Sequence, residues 1–382
     1  MTLTVQRDHP RLPDAQRAEG DRSDSCGDAP GDRGAAGRVR VSDSRVLPLR
    51  IAVGDEQLED LDRRLLATRW PDVRGLRSSG VPAFRLRGLV HHWVHHYDWR
   101  SREVLLNSLG WYCTDIDGAS LEFLHVRSSR QDAIPILLVH GWPGSVLEFR
   151  RVLSALAEPG GRGEHPAFHI VVPCLPGASV SGAMGTGGWD LHRIAAAWAE
   201  LMMRLGYSRW VAHGGGSGTR LAAQLGLVQP LGLVAVHLAT YDVPSAAISP
   251  AMSAEPCDVA LTDSPAGLAG WVLAAVAAWT EADADEFLDT MMLHWLAGTS
   301  PAGRDWWPVI EEQVQGELTV PVGCSHFGRA GPAGEIWRGL TARDLVISHQ
   351  VGLLAQLPAL QQPDVLVTEL QRCYSAHPWA TS

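Results

Sequence analysis

Along the first 44 residues Asp, Arg, Gly, Ala and Pro dominate, large apolar side chains are few, and no hydrophobic period is sustained. Such a stretch cannot bury enough surface to offset its ordering entropy, so residues 1–44 are expected to be a disordered tail. From Val46 the pattern changes. An extended apolar start over residues 46–53 leads to Asp55, placed as an N-cap, and Leu58, Leu61, Leu65 and Leu66 then recur at helical spacing until Trp70-Pro71 stops the helix. A second helix over residues 84–99 carries His91, His92, His95 and His96. Two i, i+4 pairs suit zinc, but neighbouring residues do not share a helix face, so a solvated surface is the better reading.

Beyond this region strand and helix patterns alternate, as expected for a largely parallel sheet covered by helices on both faces. Strands fit residues 111–116, 121–126, 134–140, 168–173, 210–215, 233–240, 319–327 and 344–349, and helices fit 146–156, 191–205, 218–227 and 364–374. Between the sixth and seventh strands, residues 243–317 read as a helical cap rich in tryptophan, with Trp271, Trp279, Trp295, Trp306 and Trp307. The expected units are thus a tail (1–44), an N-terminal meander (45–108), a core in two parts (109–242 and 318–382) and the cap.

Composition narrows the function classes. At 382 residues and 46% hydrophobic, the chain is long enough to bury a large core. A net charge of -10 argues against a nucleic-acid partner, which needs a basic face. None of the 32 basic residues is lysine, which excludes Schiff-base chemistry and a P-loop lysine and fits the GC-rich coding bias of actinobacteria. The six cysteines lack any ligand spacing and read as free thiols in a reducing compartment. With no signal-like N-terminus, and with the longest apolar run (268–279) well short of the ~20 residues of a membrane span, a cytoplasmic protein without a membrane partner is expected.

Eight strands, a glycine-rich turn after the fifth and a helical insertion after the sixth make the α/β-hydrolase plan: an α/β fold with an eight-stranded, mostly parallel sheet, a helical cap and the N-terminal meander. Over residues 46–374 the chain also resembles the microsomal type of epoxide hydrolase. The resemblance is carried by Ala67-Thr68-Arg69-Trp70-Pro71-Asp72, Tyr97-Asp98-Trp99-Arg100, Ile116-Asp117-Gly118, His140-Gly141-Trp142-Pro143-Gly144-Ser145 and Asp263-Ser264-Pro265-Ala266-Gly267-Leu268. It implies a covalent mechanism, in which an elbow Asp attacks the epoxide carbon, a His aided by an acid directs water at the ester, and two cap tyrosines bond the epoxide oxygen.

At each of those positions the sequence departs from the family. The elbow reads Gly214-Gly215-Gly216-Ser217-Gly218, with Gly216 where the nucleophilic Asp belongs; the His position falls on Gln356 and the acid position near Ala330. Val259 and Trp307 occupy the places of the tyrosines. What remains is an anion pocket, in which the backbone N–H of Trp142, aimed by the His140-Gly141 turn, pairs with that of Ser217. The Ser217 hydroxyl reads as a helix N-cap, with a relocated nucleophile as the alternative, served by His326 or His349 at strand ends on the ligand rim. Tyr241 and Asp242 lie on the same rim, and Trp306 and Trp307 suit the wall of a polycyclic pocket.

The expectation is therefore an epoxide-hydrolase-like cyclase of natural-product biosynthesis, polyketide or enediyne-type. The candidate catalytic groups are Trp142, Ser217, His326 and His349, and the ligand-lining positions are His140, Gly141, Gly216, Tyr241, Val259, Trp306, Trp307 and Gln356. No cofactor or metal is expected. The expected partner is an epoxide-bearing or polycyclic small molecule, and a homodimer is allowed for. The alternatives are a binder that sequesters such a metabolite and a hydrolase using relocated residues.

Overall fold

A computed structural model of the chain describes residues 6–7, 45–70, 83–161, 164–176, 188–241, 257–275, 283–297, 314–328, 339–353 and 355–375. Its N-terminal part contains β1 (Gln6–Arg7), β2 (Leu47–Arg50), α1 (Asp55–Leu66), α2 (Ala83–His95) and α3 (Trp99–Asn107). The first core segment follows as β3 (Trp111–Ile116), β4 (Ala119–Val126), β5 (Ile134–Val139), α4 (Leu153–Ala157), β6 (Phe168–Pro173), α5 (Leu191–Arg204), β7 (Trp210–Gly215), α6 (Gly218–Val228) and β8 (Leu233–Tyr241). The cap supplies α7 (Cys257–Asp263), α8 (Pro265–Ala275) and α9 (Ala284–Ala297). The chain returns through β9 (Gly316–Leu318), β10 (Val322–Phe327), β11 (Leu340–Ala342), β12 (Leu345–Gln350), α10 (Pro358–Gln361) and α11 (Pro363–Ser375).

The main sheet runs β1-β2-β3-β4-β6-β5-β7-β8-β10-β12. Strands β6 through β12 pair in parallel, and β1 to β4 add an antiparallel wing. The eight expected strands are present, and ten are found because β1 and β2 extend the wing. Gln6 and Arg7, inside the segment read as a tail, pair with Arg50 and Leu49. Alternation sorts the buried strands onto two faces. Ile136 and Leu138 of β5 join the core beneath the cap and α11, whereas Leu137 and Val139 pack with Trp198 and Trp210 on the α5 and α6 side.

Three expected helices shift for local reasons. The cap of α1 is Gly54, whose N–H donates to Gln57 Oε1 at 3.3 Å, and Asp55 sits in the first turn, where its charge favours the helix dipole. The helix expected over 84–99 ends early, as α2 at His95, and the Asp98 carboxylate accepts the Arg100 N–H to start a separate helix, α3. Residues 146–156 divide into a 3-10 turn (Val146–Phe149) and α4. In the seventh expected strand Pro321 cannot donate to the ladder, and β10 begins only at Val322, while β9 leaves to pair with β11.

The cap is fastened to the meander through charge. Asp289 of α9, 1% exposed, accepts from Tyr97 Oη at 2.9 Å and Arg102 Nε at 2.8 Å, with a further bond from the Arg102 guanidinium. His92 meets Asp285 at 2.7 Å, Arg64 meets Asp263 at 2.6 Å, and Glu286 holds Arg150 and Arg151. His91, His95 and His96 face solvent, and among the described residues no group of three or more His, Cys, Asp or Glu is placed to hold a metal. No helix among them is long and apolar enough to cross a membrane. Cys113, Cys174, Cys324 and Cys373 are buried thiols.

Two predictions follow from this packing. Removing a buried partner strands the charge left behind, so Asp289→Ala is expected to cost about 3 kcal/mol in a urea titration. Asp60→Ala, which removes the more exposed Arg63 and Arg64 pairs of α1, is expected to cost less than about 1 kcal/mol. The second prediction concerns acid. Burial holds the pKa of His140, His237 and His294 at about 4 and that of His213 well below the usual 6.5, so the unfolded chain binds more protons in this window. Their contribution is complete above pH 6.5 and is lost as pH falls toward 4. Buried Glu148, whose pKa burial raises, acts in the opposite sense, but four imidazoles outweigh one carboxyl. Melting temperature should fall steeply from pH 6.5 to 4.5, and a flat profile would contradict the buried neutral assignment.

Candidate active site

The turn after β7 enters α6 through Gly216 and Ser217. Gly216 has φ +59, a left-handed value that glycine adopts without a Cβ penalty. A Cβ there would lie 3.0 Å from Leu357 Cδ2 and 3.3 Å from the Gln356 carbonyl oxygen. The place where an elbow side chain would emerge is thus lined by the segment leading into α10. Gln356 contributes its main chain, whose N–H donates to Gln361 Oε1 at 2.8 Å.

The loop after β5 lies directly on this turn. A Cβ on Gly141 would stand 2.2 Å from Ser217 Oγ, and one on Gly218 would stand 2.3 Å from the Val139 carbonyl oxygen. The backbones touch because neither residue has a side chain. The Trp142 N–H donates to Ser217 Oγ at 2.7 Å, and the same hydroxyl donates to the Trp142 carbonyl at 3.1 Å. Ser217 stands at the N-cap position but makes no side-chain cap bond, which corrects its reading as a capping hydroxyl. It has no imidazole partner either: its hydroxyl fastens the loop and occupies the Trp142 N–H. The Trp142-Pro143 peptide is cis.

His140 is buried and fully engaged, donating from Nδ1 to the Gly141 carbonyl at 2.9 Å and accepting the Leu175 N–H at Nε2 at 3.3 Å. Both its nitrogens are used in shaping the loop. Above the loop, His294 of α9 donates from Nε2 to the Pro143 carbonyl at 3.1 Å and sets its ring edge against Trp142, with centroids 4.8 Å apart. The cap therefore closes on this loop through a histidine that the sequence pattern did not single out.

The other expected positions disperse. His326 bonds Thr240 Oγ1 through Nδ1 at 2.9 Å, and Tyr241 stands in register with Phe327. His349 turns toward α11, its Nδ1 2.9 Å from Glu369 Oε2, and so leaves the rim it was expected to serve. Val259 is 79% exposed on α7. Trp306, Trp307, Ala330 and Asp242 lie outside the described residues.

Beneath the elbow runs a buried polar chain. His213 Nδ1 meets His237 Nδ1 at 2.9 Å, His237 Nε2 meets Ser325 Oγ at 3.0 Å, and Ser325 Oγ donates to Glu369 Oε2 at 2.8 Å. Glu369 is paired with Arg372 at 3.1 Å on α11. These residues sit on three adjacent parallel strands and one helix, and only the register of β7, β8 and β10 brings them into line.

Comparison with known proteins agrees with this architecture. Residues 46–149 match the family described as "Epoxide hydrolase N terminus". A Stigmatella aurantiaca protein assigned to the epoxide hydrolases is 37% identical over 373 residues, spanning 86% of this chain and 84% of its own. Epoxide hydrolase 1 of Sus scrofa is 26% identical over 90% of each chain. Among solved structures, the Aspergillus niger epoxide hydrolase superposes with a TM-score of 0.71 at 25% identity, over 87% of this chain and 97% of that one. The juvenile hormone epoxide hydrolase of Bombyx mori gives 0.72 at 21% identity, over 87% and 94%. These structures share the α/β-hydrolase fold, and by its sequence and architecture the chain belongs to the epoxide hydrolase family.

Proposed function

We propose that this member of the family is a non-hydrolytic enzyme, a cyclase that opens an epoxide intramolecularly or joins carbon to carbon in the biosynthesis of a polycyclic natural product, polyketide or enediyne-type. The observation that carries the reading is the elbow. Gly216 offers no carboxylate, and the Leu357 side chain and Gln356 carbonyl line the place where one would project. Without a covalent ester there is nothing for an activated water to release. A pocket that keeps the fold, cap and anion loop retains the means to orient one electrophilic molecule and exclude water.

In such a rearrangement an epoxide C–O bond breaks, the substrate's own hydroxyl or acidic carbon forms the new bond, and its proton ends on the opened alkoxide, so mass is unchanged. The main-chain N–H of Trp142 is the donor for the developing oxyanion. In the structure it is held by the neutral Ser217 hydroxyl, and a charged oxygen, as the stronger acceptor, displaces that hydroxyl. Binding without turnover, as a sequestering protein, is the competing outcome, as is hydrolysis through relocated residues.

Incubation with electrophilic polycyclic intermediates separates the readings: an isomer of equal mass supports the cyclase, a product heavier by water supports a hydrolase, and saturable binding without product supports the binder. Styrene oxide in isotopically labelled water should give no labelled diol. Gly216→Asp should also give none, while costing about 1 kcal/mol for a side chain at positive φ. Ser217→Ala is expected to lower stability by about 1 kcal/mol through the lost loop bonds and to leave turnover within a few-fold of wild type, since the donor is main chain. Abolished turnover with intact ligand binding would instead make the hydroxyl chemical.

A further inference from the structure

Four imidazoles crowd the C-terminal end of α2. On a continuous helix adjacent residues point apart, so His91, His92, His95 and His96 could not gather there. The helix is not continuous. It ends at His95, and the N–H groups of His96 and Tyr97 both donate to the His92 carbonyl, at 2.9 and 3.0 Å. This turn carries the His96 ring to within 5.7 Å of His91 and 5.6 Å of His92, centroid to centroid. His91 and His95, one helical turn apart, are closer still, at 4.5 Å. Their surroundings separate the four. His92 is partly buried, with its Nε2 2.7 Å from Asp285 of the cap, whereas His91, His95 and His96 are exposed. Arg87, one turn before His91 on the same stripe, lies over the Trp70 ring at 5.3 Å.

The 4.5 Å separation decides what the exposed pair can hold. A metal–nitrogen bond of about 2 Å sets a ligand ring centroid about 3.2 Å from the ion, so two rings bound at right angles have centroids about 4.5 Å apart, and at the tetrahedral angle about 5.2 Å. His91 and His95 match the first spacing, and His91 and His96, at 5.7 Å, exceed both. We propose that His91 and His95 form a chelating site for a divalent transition-metal ion of tetragonal preference, Cu(II) above all, with water in the remaining positions. Imidazole nitrogen suits such ions, and Cu(II) stands highest in the divalent series. Two ligands already set on one helical turn lose little freedom on binding, and both face solvent, so the ion enters without disturbing the core. Once bound it bridges the last turn of α2 and steadies the helix end from which His92 reaches Asp285. The pair shares no residue with the elbow and is independent of the reaction proposed above.

The probe is Cu(II) itself, titrated into the full-length protein in a non-chelating buffer. Calorimetry should show saturable binding of one ion per chain, and the electron paramagnetic resonance spectrum should be axial, with splitting from two nitrogens. His91→Gln and His95→Gln should each weaken binding by at least about tenfold, the loss that follows removal of even an outer partner of a metal ligand. Circular dichroism should be unchanged in both, because the side chains are exposed. His96→Gln should leave affinity and spectrum as in wild type, and Zn(II) should bind more weakly than Cu(II). Saturating Cu(II) should raise the melting temperature of wild type and leave that of the double variant, His91→Gln with His95→Gln, where it was. Binding of undiminished affinity in the double variant would show that the ion goes elsewhere and overturn the assignment. An equal loss in His96→Gln would overturn the two-imidazole site in favour of three ligands, and wild type that fails to bind Cu(II) saturably would overturn it altogether.

Discussion

The approach of the β5 loop to the β7–α6 turn is the constraint from which the site follows. Backbone lies on backbone there, because Gly141 and Gly218 carry no Cβ and Gly214 meets Gly218 and Ala222 where its own would be. A single methyl at any of these three positions would stand within 2.6 Å of another atom. Glycine costs conformational entropy on folding, and this fold accepts that cost at three places, two on the turn and one on the loop that meets it. In return, the Trp142 N–H is delivered to the mouth of the elbow by main-chain geometry, and the Ser217 hydroxyl locks it there with two hydrogen bonds. The position of this N–H does not depend on a side chain at residue 216.

The cap depends on a different physics. Its helix α9 is buried through Phe287, Leu288, Met291, Met292 and Leu296, and apolar burial alone is non-directional. Direction comes from Asp289, held by Arg102 and Tyr97 of the meander, and from His294, which meets the Pro143 carbonyl and the Trp142 ring. One helix therefore reads two surfaces five residues apart: a charged one on the N-terminal segment and a loop one over the elbow. The N-terminal segment thus supplies both a strand of the sheet, β2, and the charged surface on which α9 rests.

Much of this was legible in the sequence. The strand periods, the Gly-rich elbow and the HGWPG loop identify the sheet, the turn and the loop that lies on it, because each is a local signal with a local cause. Boundaries that depended on a competing local bond shifted, as at Gly54, where a backbone N–H found Gln57, and at Asp98, which restarted a helix. The site itself was less legible. His326 and His349 were singled out because strand ends face the ligand crevice, a rule about position that says nothing of where a ring points. His349 turned to Glu369 instead. His213, His237 and Ser325 lie inside their strands and form a line only when three strands pair in a particular register, which is tertiary information. The one hint available was that two histidines stood mid-strand, where apolar residues are expected and where an imidazole must find partners.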